Sequence, residues 1–244
     1  MIPLRDDNPR RLRPVVTVAL IAANVLFFFY ELSLGQQGLQ EFLMGSAFVP
    51  ARLFGAAPYS GGGELQLGGA LLSMFLHGGW AHIAGNMLFL WIFGDNVEDR
   101  LGHFRFVVFY LACGLVATYA QAIAQPGLAV PTVGASGAIA GVLGAYLYLH
   151  PTARIHTLVF LGFFITFVEV PALVFLPFWF VLQFISGIAA IGAATSAQAG
   201  GVAWFAHIGG FIAGPLLLLA LGGRRRPRRL RYGPRPIRAR DPFR

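Results

Sequence analysis

The chain has 244 residues, of which 57% are hydrophobic and only 11% charged, and its mean hydropathy is +0.68. A soluble domain carries about 25% charged residues, so this composition excludes an ordinary soluble domain and points to a membrane protein. The net charge is +8, yet every basic residue is Arg and the run after Gly223 is the densest in them. A basic tail directly behind an apolar segment reads as an anchor on anionic lipid at the cytoplasmic face, not as a nucleic-acid surface.

Spanning a bilayer takes about 20 apolar residues, which sorts the chain into segments. Residues 1–13 form a short cytoplasmic N-terminus, and residues 15–34 the first span. Residues 35–69 form a long external loop. It holds an amphipathic stretch over 39–54, suited to the outer-leaflet interface, and a flexible Ser60-Gly61-Gly62-Gly63. Short spans follow at 81–94 and 136–149, with a full-length one at 104–124 between them. The stretch 157–168 is too short to cross and suits a re-entrant or interfacial segment. Spans at 168–190 and 203–222 complete the set. The tail 223–244, rich in Arg and Pro, cannot bury a core and is expected to be disordered. The expected fold is therefore an all-α, polytopic membrane protein, six helices over residues 14–222. Six spans place both termini on one side together with the turns 95–103 and 150–156. That side holds all the Arg residues except Arg52, as the positive-inside rule requires. Cys113 stands alone, so disulfides and thiolate metal sites within the chain are not expected. No cleavable signal peptide is evident, because no small-residue cleavage pattern follows the first apolar run.

Three short spans carry polar residues that are costly in hydrocarbon unless paired or hydrated. Counting from Asp95, His150-Pro151 and Gly222-Gly223 at the rise of a helix puts His82 about 20 Å, Ser136 about 21 Å and His207 about 22 Å from the inner boundary. The hydrocarbon is about 30 Å thick, so all three fall on one layer below the outer surface. Asn86 follows His82 by one turn on the same helical face. This convergence predicts one buried site, open to water from outside.

An imidazole that accepts its proton makes a serine hydroxyl a useful nucleophile. Ser136 opens its helix after Pro131 and Gly134, where free backbone N–H groups and the positive dipole end can hold an oxyanion. Asn86 and His82 add side-chain donors. No Asp or Glu is expected near this layer, so the chemistry reads as a Ser–His dyad without an orienting carboxylate. Gly134, Gly137, Gly141 and Gly144 also match small-xxx-small spacing, which by itself signals close helix packing, as do Gly210 and Gly214. The two readings are compatible, because a dyad shared by two helices needs them close. His77 and His82 lie on different faces of a helix and lack a Cys or carboxylate to complete a ligand set, so no metal is expected. His103, His150 and His156 read as interfacial. Trp91, Trp179 and Trp204 read as lipid-facing or interface anchors, and Phe178-Trp179-Phe180 as a possible lateral gate.

These residues resemble the rhomboid intramembrane serine proteases over roughly residues 5–222. The resemblance is carried by His77-x4-His82-x3-Asn86, Gly134-Ala135-Ser136-Gly137, Ala206-His207-x2-Gly210-x3-Gly214, and the turn Gly94-Asp95-Asn96-Val97-Glu98-Asp99-Arg100-Leu101-Gly102. It implies Ser136 as nucleophile and His207 as general base, with His82, Asn86 and the Ser136 amide as oxyanion hole. His77 would be a structural histidine, with Gly134, Gly137 and Gly210 supporting the site. Implied substrates are membrane-anchored proteins cut in or near a transmembrane helix, without a cofactor. Many members carry a Trp-Arg pair in the first loop where this chain has Gly68-Gly69. The short N-terminus without an organelle-type presequence favours a prokaryotic cytoplasmic membrane. The oligomeric state is left open.

Overall fold

The computed structural model describes residues 1–55, 66–161, 164–192 and 202–223. The tail 224–244 and the Ser60-Gly61-Gly62-Gly63 segment, expected to be disordered and flexible, lie outside the described residues. In chain order the elements are β1 (Ile2–Asp6), α1 (Val15–Ser33), α2 (Gly35–Ser46), α3 (Pro50–Leu53), α4 (Leu67–Ser73), α5 (Trp80–Leu101), α6 (His103–Ala124), α7 (Ser136–Leu149), β2 (Arg154–Leu161), β3 (Phe164–Pro171), α8 (Ala172–Gly192) and α9 (Trp204–Ala220).

Helix dominates, as the apolar runs require. Among the described residues α1 and α6 are each long and apolar enough to cross a membrane by length and composition alone. The apolar helices α7, α9 and the Ala172–Leu182 part of α8 are shorter. α5 departs from expectation: it does not end at Gly94 but continues to Leu101, carrying Asp95, Glu98 and Asp99 on its last turns. Gly102, at φ +79°, then breaks the helix and α6 starts at the next residue. A left-handed backbone of this kind strongly favours glycine.

The described part of the first loop is largely helical: α2 and α3 cover most of the amphipathic stretch 39–54, and α4 follows. Gly68-Gly69 lies inside α4, and a Cβ on Gly69 would stand 3.2 Å from the Ser46 carbonyl oxygen. Absence of a side chain there lets α4 close on the end of α2. The all-α class needs correction. The segment read as re-entrant, with the first residues of the run 168–190, forms an antiparallel sheet in the order β1-β2-β3. Its pairing aligns His156 with both Arg5 and Glu169, and Leu158 with Ile2 and Phe167. Ile155, Thr157, Val159, Ile165, Thr166, Val168 and Val170 make the segment β-branched, which suits pleated strands. Ile155 and Thr157 are fully buried against the helices. On the outward face Arg154 donates to Glu169 at 2.8 Å, and that hydrogen bond holds the Glu169 carboxyl below its usual pKa.

α7 is the central helix, and its glycines face neighbours that leave no room for a side chain. A Cβ on Gly210 would run into the Gly137 carbonyl oxygen, and one on Gly214 into that of Gly141. The α7 stripe itself packs on two sides: a Cβ on Gly137 would stand 2.6 Å from Ala117 Cβ and one on Gly141 2.5 Å from Cys113 Sγ, both on α6, while one on Gly144 would run into the Phe211 carbonyl oxygen of α9. At the end of the bundle nearest the sheet, the fully buried Glu98 carboxylate accepts from Val16 N (2.9 Å), Thr17 N (2.7 Å) and Thr17 Oγ1 (2.6 Å). It also lies 2.6 Å from His103 Nδ1, so a single side chain ties α1, α5 and α6 together. Beside it, Asp6 accepts from Tyr146 Oη (2.6 Å) and Asn96 Nδ2 (3.0 Å), fixing β1 beneath α5 and α7.

Candidate active site

Ser136 is the first residue of α7, and the backbone leading into it is held from two sides. Thr132 N donates to the Phe48 carbonyl (2.8 Å), and Gly134 N to the Ser73 carbonyl (2.8 Å). Ser73 Oγ in turn accepts from Phe48 N at 2.9 Å, so the first-loop helices and the Ser136 loop share one anchor. Gly134 adopts φ +128°, and a Cβ there would lie 2.8 Å from His82 Nε2. Glycine is thus needed both for the backbone and for the approach of the imidazole.

His207 sits one turn into α9. Its Nε2 lies 2.8 Å from Ser136 Oγ, a hydrogen bond in which the hydroxyl donates if Nε2 is unprotonated. The close α7–α9 approach makes that distance possible. Gln121 of α6, buried, accepts from Phe205 N (3.1 Å) and Ala206 N (3.2 Å) and so satisfies two of the free N–H groups opening α9. Trp179 lies over the His207 ring with centroids 5.8 Å apart, and Trp204 meets it edge-on at 6.1 Å. The buried imidazole is therefore held between aromatic rings.

His82 and Asn86 come from the first two turns of α5 and face the same space. Gly78 N makes a long contact to His82 Nδ1 (3.4 Å), consistent with a proton on Nε2, the nitrogen beside Gly134. Asn86 Nδ2 donates to His77 Nε2 (3.0 Å), and His77 Nδ1 donates to the Phe75 carbonyl (3.3 Å). His77 is not on α5 but in the loop before it, buried, with its ring edge-on to His82 at 5.1 Å. Ser136, His207, His82 and Asn86 all line one cavity of about 640 Å³, with Trp179 and Trp204 on its wall. His77 joins them through its hydrogen bond with Asn86, and Gly134 through its approach to His82. Gly137 and Gly210 stand behind the cavity, at the α7–α9 contact.

The expectation that no carboxylate lies near this layer is overturned by Glu31. It is buried near the end of α1, and both oxygens accept from His77 N, at 3.2 and 3.1 Å. Glu31, Gln121 and Ser73 all escaped the sequence reading. The available signal was the same for each: a polar residue inside or beside an apolar run, which implies a partner. Trp179 and Trp204 line the cavity and are not lipid-facing anchors, whereas Trp91 is exposed on α5.

Chemically, the arrangement offers a hydroxyl paired to an imidazole, with a helix N-terminus and two side-chain donors across a cavity. Residues 64–224 match the Rhomboid domain family. The chain is 36% identical over 138 residues to Rhomboid protease GluP of Bacillus subtilis (strain 168), covering 56% of this chain and 25% of that protein. It is 32% identical over 148 residues to Rhomboid protein 1, mitochondrial, of Saccharomyces cerevisiae, covering 59% and 39%. It is also 35% identical over 96 residues to the presenilin-associated rhomboid-like protein, mitochondrial, of Homo sapiens, covering 38% and 25%. The chain thus spans well under half the length of these relatives.

Proposed function

The chain belongs to the rhomboid family, and from that premise we propose that it is an intramembrane serine endopeptidase cutting membrane-anchored proteins within or beside their transmembrane helices. The single observation that carries this reading is the 2.8 Å contact between Ser136 Oγ and His207 Nε2 in a cavity shared with His82 and Asn86. Ser136 is the nucleophile and His207 the general base. As Oγ bonds to the scissile carbonyl carbon, its proton passes to His207 Nε2. Negative charge moves to the carbonyl oxygen, where the Ser136 amide, His82 Nε2–H and the second N–H of Asn86 stabilise it. Collapse breaks the C–N bond, and the leaving amine takes the proton from His207. A water molecule, deprotonated by the same nitrogen, then hydrolyses the acyl-enzyme.

In this reading α1, α5, α6, α7, α8 and α9 are six spans, with the crossing part of α5 being residues 81–94. Both termini, the sheet and the tail 223–244 are cytoplasmic. The domain over residues 14–222 is the membrane-embedded enzyme of a prokaryotic cell membrane, acting on transmembrane substrates in lipid without a cofactor or nucleic acid. Support for the orientation comes from the Arg distribution. Labelling the purified protein with a fluorophosphonate tests the chemistry directly. Ser136→Ala should remove both labelling and cleavage of a model transmembrane substrate. His207→Ala should be as inactive, and the double variant no worse than either, because a dyad loses its joint contribution once. Cleavage that survives Ser136→Ala would place the nucleophile elsewhere.

A further inference from the structure

Helix α9 lacks a cap of its own. It opens with Trp204, Phe205 and Ala206, and the residue before them is Ala203, whose methyl group cannot accept a hydrogen bond. Trp204 N donates to the Val202 carbonyl (2.9 Å) and His207 N to the Ala203 carbonyl (3.2 Å). Phe205 N and Ala206 N remain, and these second and third helical positions are the ones an N-cap side chain ordinarily serves. Gln121 Oε1 accepts from both, at 3.1 and 3.2 Å, out of the neighbouring helix α6.

Gln121 extends the buried stripe of Cys113 and Ala117 on α6 and is 1% exposed. Its amide is itself oriented, because Nε2 donates to Gln125 Oε1 at 2.6 Å and leaves Oε1 turned toward α9. The same end of α6 is fixed to the loop that leads into Ser136. Leu128 N donates to the Gln125 carbonyl (3.1 Å), and Ala51 N of α3 to the Leu128 carbonyl (3.0 Å). Both members of the Ser136–His207 pair therefore hang from the end of α6, Ser136 through the loop and His207 through the Gln121 amide. We infer that Gln121 is a positioning residue for His207, an N-cap supplied by another helix whose reach fixes the start of α9 where Nε2 meets Ser136 Oγ. His207 directly follows the two tethered residues, so the tether sets the place of its ring. A cap within α9 would satisfy the same N–H groups without tying the helix to anything. Burial makes the tie stringent, because an N–H freed in apolar surroundings finds no water in place of its acceptor. The inference rests on the Ser136–His207 chemistry proposed above.

Gln121→Leu, close in volume but without an acceptor, provides the test in the full chain. Labelling of Ser136 by a fluorophosphonate reads the pair without requiring a helix to enter or unwind. It should slow by about tenfold or more, since misplacement by about 1 Å costs on the order of a hundredfold. Cleavage of a model transmembrane substrate should lose kcat by a similar factor, with KM within about twofold of the parent. The same comparison in an Ala203→Ser background separates the tie from the cap. The serine hydroxyl should restore the thermal midpoint that Gln121→Leu loses, while the loss of rate persists. Recovery of midpoint and rate together would overturn the inference and leave Gln121 a cap alone. Gln121→Asn, one methylene shorter, should also slow labelling, and it covers the case in which the Leu variant does not fold. A parental rate in the Asn variant would equally overturn the inference. Labelling that persists in Ser136→Ala would overturn the dyad itself, whereas a silent Ser136→Ala beside a parental rate in Gln121→Leu would remove Gln121 and leave the dyad standing.

Discussion

Gly134 meets two demands at once, a left-handed φ of +128° and an imidazole where a Cβ would otherwise stand. Gly134→Ala should therefore displace His82 and strain the entry to Ser136. Loss of an oxyanion donor costs on the order of a hundredfold in rate, and fluorophosphonate labelling kinetics would read it. Unchanged labelling would separate His82 from the reacting oxygen. Glu31 acts at one remove. Its carboxylate holds His77 N, and His77 Nε2 holds Asn86, so it positions a donor without touching substrate. Glu31→Ala leaves a buried N–H without its acceptor, a cost of about 1–3 kcal/mol in stability. Cleavage should fall by roughly tenfold with KM unchanged, consistent with loss of an interaction made in the transition state. Glu31→Gln, whose amide oxygen can still accept, should recover most of the rate. The decisive measurement is the double variant with Asn86→Ala. If Glu31 works through Asn86, the pair should be no slower than Asn86→Ala alone, whereas a general weakening of the fold would multiply the defects.

At the scale of elements, the α7–α9 contact has no tolerance for a methyl group. Gly210→Ala drives a Cβ into the Gly137 carbonyl, while a Cβ on Gly68 of α4 meets nothing within 4 Å. Overpacking at Gly210 should cost about 1–3 kcal/mol and lengthen the Ser136–His207 contact, lowering both thermal stability and activity. Gly68→Ala should be neutral or mildly stabilising, by up to about 1 kcal/mol. Equal thermal midpoints for the two would mean that the helices can part without cost. The ends of α7 were legible because Pro131, Gly134 and Pro151 punctuate an otherwise uniform apolar run. The sheet was not. Leu158 to Val168 is apolar on both faces, so the period of two that marks a strand is erased and only β-branching remains as a signal. Helix α5 outran its expected end for the opposite reason. Hydropathy stops at Gly94, but Asp95 and Glu98 find partners in Arg10 and in the first turn of α1, so the helix continues where the membrane signal does not.

At the scale of the whole molecule, counting residues from three boundary markers put His82, Ser136 and His207 in one layer, and the fold converts that shared height into contact. Height alone could not supply the lateral part, which depends on Gln121 pinning α9 and on glycines letting it approach α7. The oxyanion donors constrain the substrate. A helix holds its carbonyls in internal hydrogen bonds, so on the proposed chemistry a helical substrate has to unwind locally before Ser136 Oγ can attack. Glycine and proline lower that cost by about 1 and 3 kcal/mol per residue relative to alanine in exposed helices. Cleavage is thus expected near the external end of single-pass helices that carry small or helix-breaking residues there. Placing Gly or Pro just beyond a test cleavage site should raise the rate, by up to about fivefold for Gly if unwinding is fully rate-limiting. Replacing such residues with Leu or Ala should slow it, with the Ser136→Ala protein as the blank. Uniformly strong helices cut as fast as broken ones would show that unwinding does not limit the reaction.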